Sequence, residues 1–144
     1  MMIIPFILHG FLMVLDEVIH LKRGLGRWER WGHPIDSLSV LICFIFPQIT
    51  PNSETNEAIY LSLSIFSCLL ITKDEWVHHK ECLAFEQWLH SLLFILHPIL
   101  LYIIYYFWKQ NHFPVWLIQL PYLVGFFTLY QFFYWNFLRI NHDQ

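Results

Sequence analysis

Long apolar segments separated by short polar turns limit what this chain can fold into. Five such segments, each about 20 residues long, are expected to form helices that cross the hydrocarbon core of a bilayer. They run from Ile3 to about Leu21, up to Phe46, from about Ala58 to His79, from about Leu83 to Trp108, and from Val115 to Arg139. Hydrophobic residues make up 57% of the chain and charged residues 13%, against about 25% charged in a soluble domain. The sequence predicts an all-α integral membrane protein with one transmembrane domain, 1–144.

Basic residues predict how the chain crosses the membrane. If the five helices alternate in direction, all lysines and arginines except Lys109 fall on one side, and that side is expected to be cytoplasmic. The N-terminus is then outside and the C-terminus inside, in the inner membrane if the source is bacterial. The basic residues are spread as topology signals, so no nucleic-acid partner is predicted. Tryptophans near the helix ends are interpreted as an interfacial belt.

A pattern of acids and histidines occurs twice in the chain, about 58 residues apart. The first copy contains Asp16, Glu17 and His20, then Glu29, Trp31 and His33; the second contains Asp74, Glu75 and His78, then Glu86, Trp88 and His90. A recurrence of this length indicates an internal duplication. Repeat one covers about 3–46 and repeat two about 58–108, while the helix at about 115–139 has no counterpart. The two hairpins are predicted to pair around a two-fold axis along the membrane normal, as a four-helix bundle.

The duplicated residues are typical of a metal site. Residues three or four apart share one face of a helix, so each glutamate and its histidine can point at a common centre near the cytoplasmic face. The eight predicted ligands are Glu17, His20, Glu29, His33, Glu75, His78, Glu86 and His90. Each ionisable group in a membrane helix costs about 2.5–3.5 kcal/mol, and four carboxylates would balance two divalent cations. Imidazole and carboxylate donors without thiolate suit iron, zinc or manganese, and iron is favoured.

Further polar residues lie close to these ligands in the sequence. Asp16 and Asp74 each precede a ligand histidine by four residues, so each is either an alternative ligand or the partner of that histidine's second nitrogen. Asp36 either joins the site or caps a helix. His9 and His97 lie deeper in the bilayer and either line a substrate or proton path or bond a neighbouring helix.

Pro34 leaves two options for the start of the second helix. Proline suits the first turn of a helix and not its interior. Glu29 and His33 are therefore expected either on a kinked start of the second spanning helix or on a short interfacial helix before it.

The motifs resemble those of di-iron carboxylate proteins, whose four-helix bundles use Glu-x-x-His from two helices and one glutamate from each of two others. The resemblance implies that the paired motifs are Glu17-x-x-His20 and Glu75-x-x-His78, and that the lone glutamates are Glu29 and Glu86. The chain departs from that pattern by adding a histidine beside each lone glutamate. The resemblance covers about a third of the chain and is confined to these motifs.

Three classes of function follow from this pattern. The first is a membrane protein with a dinuclear centre, most simply di-iron, that performs redox chemistry on oxygen or on a lipid-soluble small molecule. The second is a zinc-dependent hydrolase acting on a lipid amide or ester. The third is non-catalytic: metal storage, metal sensing or a structural clamp, including a metal-free hydrogen-bond network of glutamates and histidines. The sequence does not assign catalytic residues.

Overall fold

The structure is a computed structural model that describes residues 1–74 and 82–139. The described residues form five α-helices: α1 Ile4–Arg23, α2 Arg27–Ile49, α3 Glu54–Leu70, α4 Ala84–Lys109 and α5 Val115–Phe133. A 3₁₀ helix, Ile71–Asp74, extends α3, and a π-helix, Tyr134–Leu138, extends α5. Glu75, His78 and the side chain of Asp74 lie outside the described part, so three of the predicted site residues have no structural account.

The outer faces of the helices are apolar. Five helical segments are long and apolar enough to cross a membrane. Large side chains such as Ile7, Leu69 and Phe126 are exposed on them, whereas a soluble monomer rarely exposes extended apolar surface. Such surface is compatible with a lipid bilayer environment. The prediction of an all-helical protein with five helices long and apolar enough to span a membrane is therefore confirmed.

The helices pair in a reciprocal way. α1 packs against α4 and α2 packs against α3, so the first helix of each predicted hairpin contacts the second helix of the other. α5 packs mainly against α2. The main apolar core surrounds Tyr60 and Trp108, and the Tyr60 hydroxyl donates to the Leu101 carbonyl at 2.8 Å. A smaller core around Leu12 and Leu89 holds α1 against α4 near their polar ends.

Helix α2 continues through Pro34, so Glu29 and His33 lie on this long apolar helix itself and not on a separate short helix before it. A proline inside a helix leaves the carbonyl four residues earlier without its usual donor. Here that carbonyl belongs to Arg30, and Asn136 Nδ2 from the π-helix donates to it at 3.0 Å. The side chain replaces the missing backbone bond, which explains how α2 accommodates the proline. The helix also passes Pro47 and ends at Ile49, later than predicted.

Candidate metal centre

Three helix ends bring the acids and histidines together. Asp16 and His20 lie near the C-terminus of α1, and the remaining donors lie near the N-termini of α2 and α4. Two groups of donors each have atoms within 4.8 Å of one another: Asp16, His20, Glu86 and His90 in the first, and His20, Glu29 and His33 in the second. The two groups share His20 and so form one continuous cluster.

The first group is compact and buried. His90 Nε2 lies 2.8 Å from Asp16 Oδ1. His20 Nε2 lies 3.3 Å from Glu86 Oε1 and 3.6 Å from Asp16 Oδ1. None of the four residues is more than 6% exposed. Two imidazoles and two carboxylates therefore face one another out of contact with solvent.

The lone glutamates occupy equivalent positions. Glu29 and Glu86 are each the third residue of their helix, where the positive end of the helix dipole stabilises a carboxylate. The backbone N–H of Gly26 donates to Glu29 Oε2 at 2.9 Å. The N-termini of α2 and α4 thus both place a carboxylate at the cluster.

Arg23 lies between these glutamates. Its guanidinium donates to Glu29 Oε1 at 2.6 Å, to Glu29 Oε2 at 3.2 Å and to Glu86 Oε1 at 3.0 Å. From the sequence, Arg23 is expected only to mark the topology of the chain, and this contact is not predicted. Its spacing of three residues from His20 places both on one face of α1, which is the signal that could have revealed it.

Glu17 faces away from this cluster. It accepts hydrogen bonds from Tyr130 at 2.9 Å and from Trp135 Nε1 at 2.8 Å. Successive residues of a helix point about 100° apart, so Asp16 turns towards α4 while Glu17 turns towards α5. The structure therefore brings Asp16 to the two histidines and separates the expected ligand Glu17 from them. Trp135 is expected in the interfacial belt of tryptophans, but its side chain is buried because it extends from the π-helix to the hydrogen bond with Glu17.

The other polar residues have identifiable contacts. The Lys73 ammonium donates to Asp36 Oδ2 at 2.6 Å, and Asp36 lies within α2 rather than at its N-terminus. His97 Nε2 lies 3.0 Å from Ser67 Oγ on the neighbouring α3. The His9 and His97 rings are 6.4 Å apart. The His33 ring lies beside the His20 ring, with centroids 4.8 Å apart and the planes tilted by 35°.

A small cavity of about 90 Å³ joins the cluster to the deeper histidines. Asp16, His33 and His90 line one part of it, and His9 and His97 line another. A water molecule occupies about 30 Å³ of liquid, so the cavity has room for a few waters. The histidines expected to line a path thus share a cavity with the cluster.

The cluster carries more negative than positive charge. Asp16, Glu29 and Glu86 are all buried, and Arg23 contributes one positive charge to Glu29 and Glu86. In the described part of the chain, no lysine or arginine contacts Asp16, and Glu86 Oε2 has no hydrogen-bond partner. Buried carboxylates need compensating charge, so the donor set fits a divalent cation.

A thiol lies beside this cluster but is not expected to add a thiolate. Burial raises the pKa of Cys82 to about 12, and the neighbouring Glu86 carboxylate contributes to the increase. Cys82 is therefore protonated at neutral pH in the metal-free protein. The available donors are nitrogen and oxygen, which agrees with the set expected for iron, zinc or manganese.

Comparison with models of protein families, with curated proteins and with solved structures finds no match. The fold and the cluster define a class instead: a helical protein with five potential membrane spans and a buried group of aspartate, glutamate and histidine that could hold a metal ion.

Proposed function

We propose that this chain is a membrane-embedded metalloprotein whose centre is held by Asp16, His20, Glu86 and His90. One observation carries the proposal: two imidazoles and two carboxylates, buried beneath the end of a helical bundle, have donor atoms within 4.8 Å of one another. A metal-free cluster of this kind would leave negative charge in an environment of low dielectric constant, which is costly. A divalent cation offsets that cost.

The second group supports a dinuclear centre. Glu29 and His33 adjoin the first group through His20. A given nitrogen of the His20 ring can bind only one ion, so a second ion needs further ligands besides Glu29 and His33. We propose that the duplicated residues Glu75 and His78 complete the second ion's ligands. Replacing both by alanine should then lower the bound metal from about two ions per chain to about one. An unchanged metal content would refute the duplicated site while leaving the first group standing.

Iron is the favoured metal. Mixed histidine and carboxylate ligands with open positions are typical of non-haem iron, and the adjoining cavity can admit a small molecule. Bound iron would supply electron-transfer and oxygen chemistry, so we propose an oxidoreductase. The same donors suit zinc, whose bound water could instead hydrolyse an ester or amide. An oxidised di-iron centre should absorb in the near ultraviolet and be silent in conventional EPR. A colourless protein that contains stoichiometric zinc after preparation under iron-replete conditions would refute the redox assignment.

A structural role is the main rival, and the Arg23 contacts favour it. Arg23 joins Glu29 to Glu86, and His90 lies against Asp16, so the polar groups already form a network between helices. Elemental analysis of protein purified without added metal separates the two. Stoichiometric metal supports the metalloprotein, whereas its absence after expression in metal-replete medium supports the network.

Adjacent residues on α1 provide a matched pair of variants for that analysis. Asp16→Asn keeps the size of the side chain but removes an anionic donor from the first group, so we expect metal affinity to fall about 10- to 100-fold or more. Glu17→Gln makes the same chemical change where the side chain contacts Tyr130 and Trp135 instead. Its metal content should stay close to that of the native protein. The opposite ranking would mean that Glu17, as the di-iron resemblance implies, is the ligand.

We also propose that the cluster lies near the cytoplasmic face, with the N-terminus outside, as the charge distribution indicates. In a protein whose native cysteines are replaced by alanine, Ser53→Cys should react with a membrane-impermeant thiol reagent added to intact cells. Arg27→Cys, at the exposed start of α2, should react only after permeabilisation. Reversed labelling would invert the orientation without affecting the metal proposal.

A further inference from the structure

A second, larger cavity lies between α1, α2 and α5. Its volume is about 470 Å³ and its lining is mostly apolar. Residues that line it include Ile7, Gly10, Val14, Phe44, Leu123 and Phe127. Cavities of about 300–1,000 Å³ commonly hold small-molecule ligands. The size and lining of this one suit an apolar ligand.

Lining residues of both α1 and α5 are exposed, among them Ile7, Val14 and Leu123. The cavity therefore reaches the outer surface between these two helices, and we call this opening the lateral window. At one end, the Phe6 and Trp116 rings close it, with centroids 5.2 Å apart. At the other end, Glu17 accepts hydrogen bonds from Tyr130 and Trp135. Between these ends α1 and α5 make few close backbone contacts. Exposed apolar side chains such as that of Leu123 border the opening, so it faces the surface that a bilayer would cover.

The apolar cavity adjoins the small cavity beside the cluster, which we call the polar cavity because two aspartates and four histidines are among its lining residues. Four residues line both: His9, Met13, Ser37 and Val40. Asp16 and His90 of the first donor group line the polar cavity only. A molecule that enters through the lateral window therefore meets a polar boundary at His9 and Ser37, with the cluster directly beyond it.

The charges around the polar cavity restrict the polar end of such a molecule. Asp36 is paired with Lys73, and the cation of the proposed centre would neutralise Asp16, so neither sign of charge on an incoming molecule finds an uncompensated partner. Burying an unpaired charge is costly. The polar cavity has room for only a few waters, which is too little for a phospholipid headgroup. An uncharged, compact polar group fits best.

We propose that the substrate is an uncharged amphiphile with a single apolar chain, such as a long-chain alcohol or aldehyde, and that it enters from the bilayer through the lateral window. Its chain occupies the apolar cavity. Its polar end passes His9 and Ser37 into the polar cavity, next to Asp16 and His90. This inference rests on the proposed metal centre and adds to it a substrate class and a direction of entry.

Photo-crosslinking in lipid nanodiscs tests this arrangement. A long-chain alcohol with a diazirine beside its hydroxyl should label peptides that contain Met13 or Ser37. The same alcohol with the diazirine at the far end of its chain should label the peptide that contains Leu123. Excess unlabelled alcohol should suppress both reactions. Labelling that does not depend on the position of the diazirine would overturn the proposed orientation.

Gly10 provides a variant that fills the cavity without disturbing the fold. Gly10 lines the apolar cavity, and a Cβ added there meets no atom within 4 Å. Leucine also favours helix more than glycine does. Gly10→Leu should lower labelling about tenfold or more, because the filled cavity no longer buries the chain. Ile65→Phe adds bulk to an exposed position on α3 and should leave labelling unchanged.

Two further probes and a metal measurement complete the test. A photoreactive fatty acid of equal length should label weakly, and a photoreactive phosphatidylcholine should not label the cavity peptides. Equal labelling by either, or no effect of Gly10→Leu, overturns the inference. Metal content measured on the same samples separates the two proposals: metal without specific labelling refutes the substrate site alone, whereas specific labelling without metal supports the window and refutes the metal centre.

Discussion

Replacing Arg23 by glutamine should destabilise the metal-free protein much more than the metal-loaded one. The guanidinium contacts Glu29, which is 0% exposed, at 2.6 Å and Glu86, which is 1% exposed, at 3.0 Å. Breaking a buried ion pair costs about 3–5 kcal/mol because it leaves an unpaired charge. The Arg23 side chain is 22% exposed, so solvent offsets part of this cost. We expect a loss of about 2–3 kcal/mol in the free energy of unfolding.

A bound ion should reverse most of that loss. An ion present at about 100 times its Kd stabilises the folded state by about 2.7 kcal/mol, and without Arg23 the ion no longer competes for the same carboxylates. Thermal unfolding in detergent, followed by tryptophan fluorescence, should show Tm about 10 °C lower for metal-free Arg23→Gln than for the native protein. Added metal should raise the Tm of the variant more than that of the native protein.

Arg27→Gln is the control for this experiment. Arg27 is exposed at the start of α2, so its replacement should change stability by no more than about 0.5 kcal/mol. An equal loss of stability with and without metal would mean that Arg23 serves only a structural network. No loss in the metal-free protein would refute the charge argument itself.

Two further variants test how α5 supports the site. Trp135→Phe keeps most of the aromatic ring but removes a hydrogen-bond donor from buried Glu17. Thermal unfolding should show a loss of about 1–3 kcal/mol in the free energy of unfolding, while elemental analysis should show unchanged metal content. Loss of metal would mean that Glu17 is itself a ligand. Asn136→Ala should lower the free energy of unfolding by about 1 kcal/mol in the native protein. In a Pro34→Ala background, where the backbone donor is restored, the same change should have almost no effect. Additive losses in this double-mutant cycle would refute the explanation of how α2 accommodates the proline.

Much of the fold was predictable because bilayer-spanning helices depend on local composition. The five apolar segments agree with the observed helices to within a few residues, apart from the third, whose predicted end lies outside the described residues. The start of α2 was not predictable. Whether a helix can pass Pro34 depends on Asn136, more than 100 residues later, which supplies the missing donor. Such a compensation leaves no local pattern.

The candidate site was predictable as a set of residues and not as an arrangement. Spacing alone placed His20, Glu86 and His90 on suitable helix faces. It could not decide between the adjacent acids Asp16 and Glu17, because the rotation of α1 depends on long-range contacts: its packing against α4 and the hydrogen bonds that Glu17 accepts from Tyr130 and Trp135. The role of Arg23 was hidden for a similar reason: Glu86, one of its partners, is 63 residues away.

The lateral window also determines how an affinity for this protein should be expressed. A molecule that enters from the side is drawn from the pool dissolved in the bilayer, not from the aqueous phase. Occupancy should therefore follow the mole fraction of the amphiphile in the membrane. Adding inert lipid at a fixed total amount of amphiphile should reduce occupancy, although the bulk concentration has not changed. An amphiphile whose hydrocarbon chain makes it insoluble in water should reach the site as readily as a shorter one, because it does not pass through the aqueous phase.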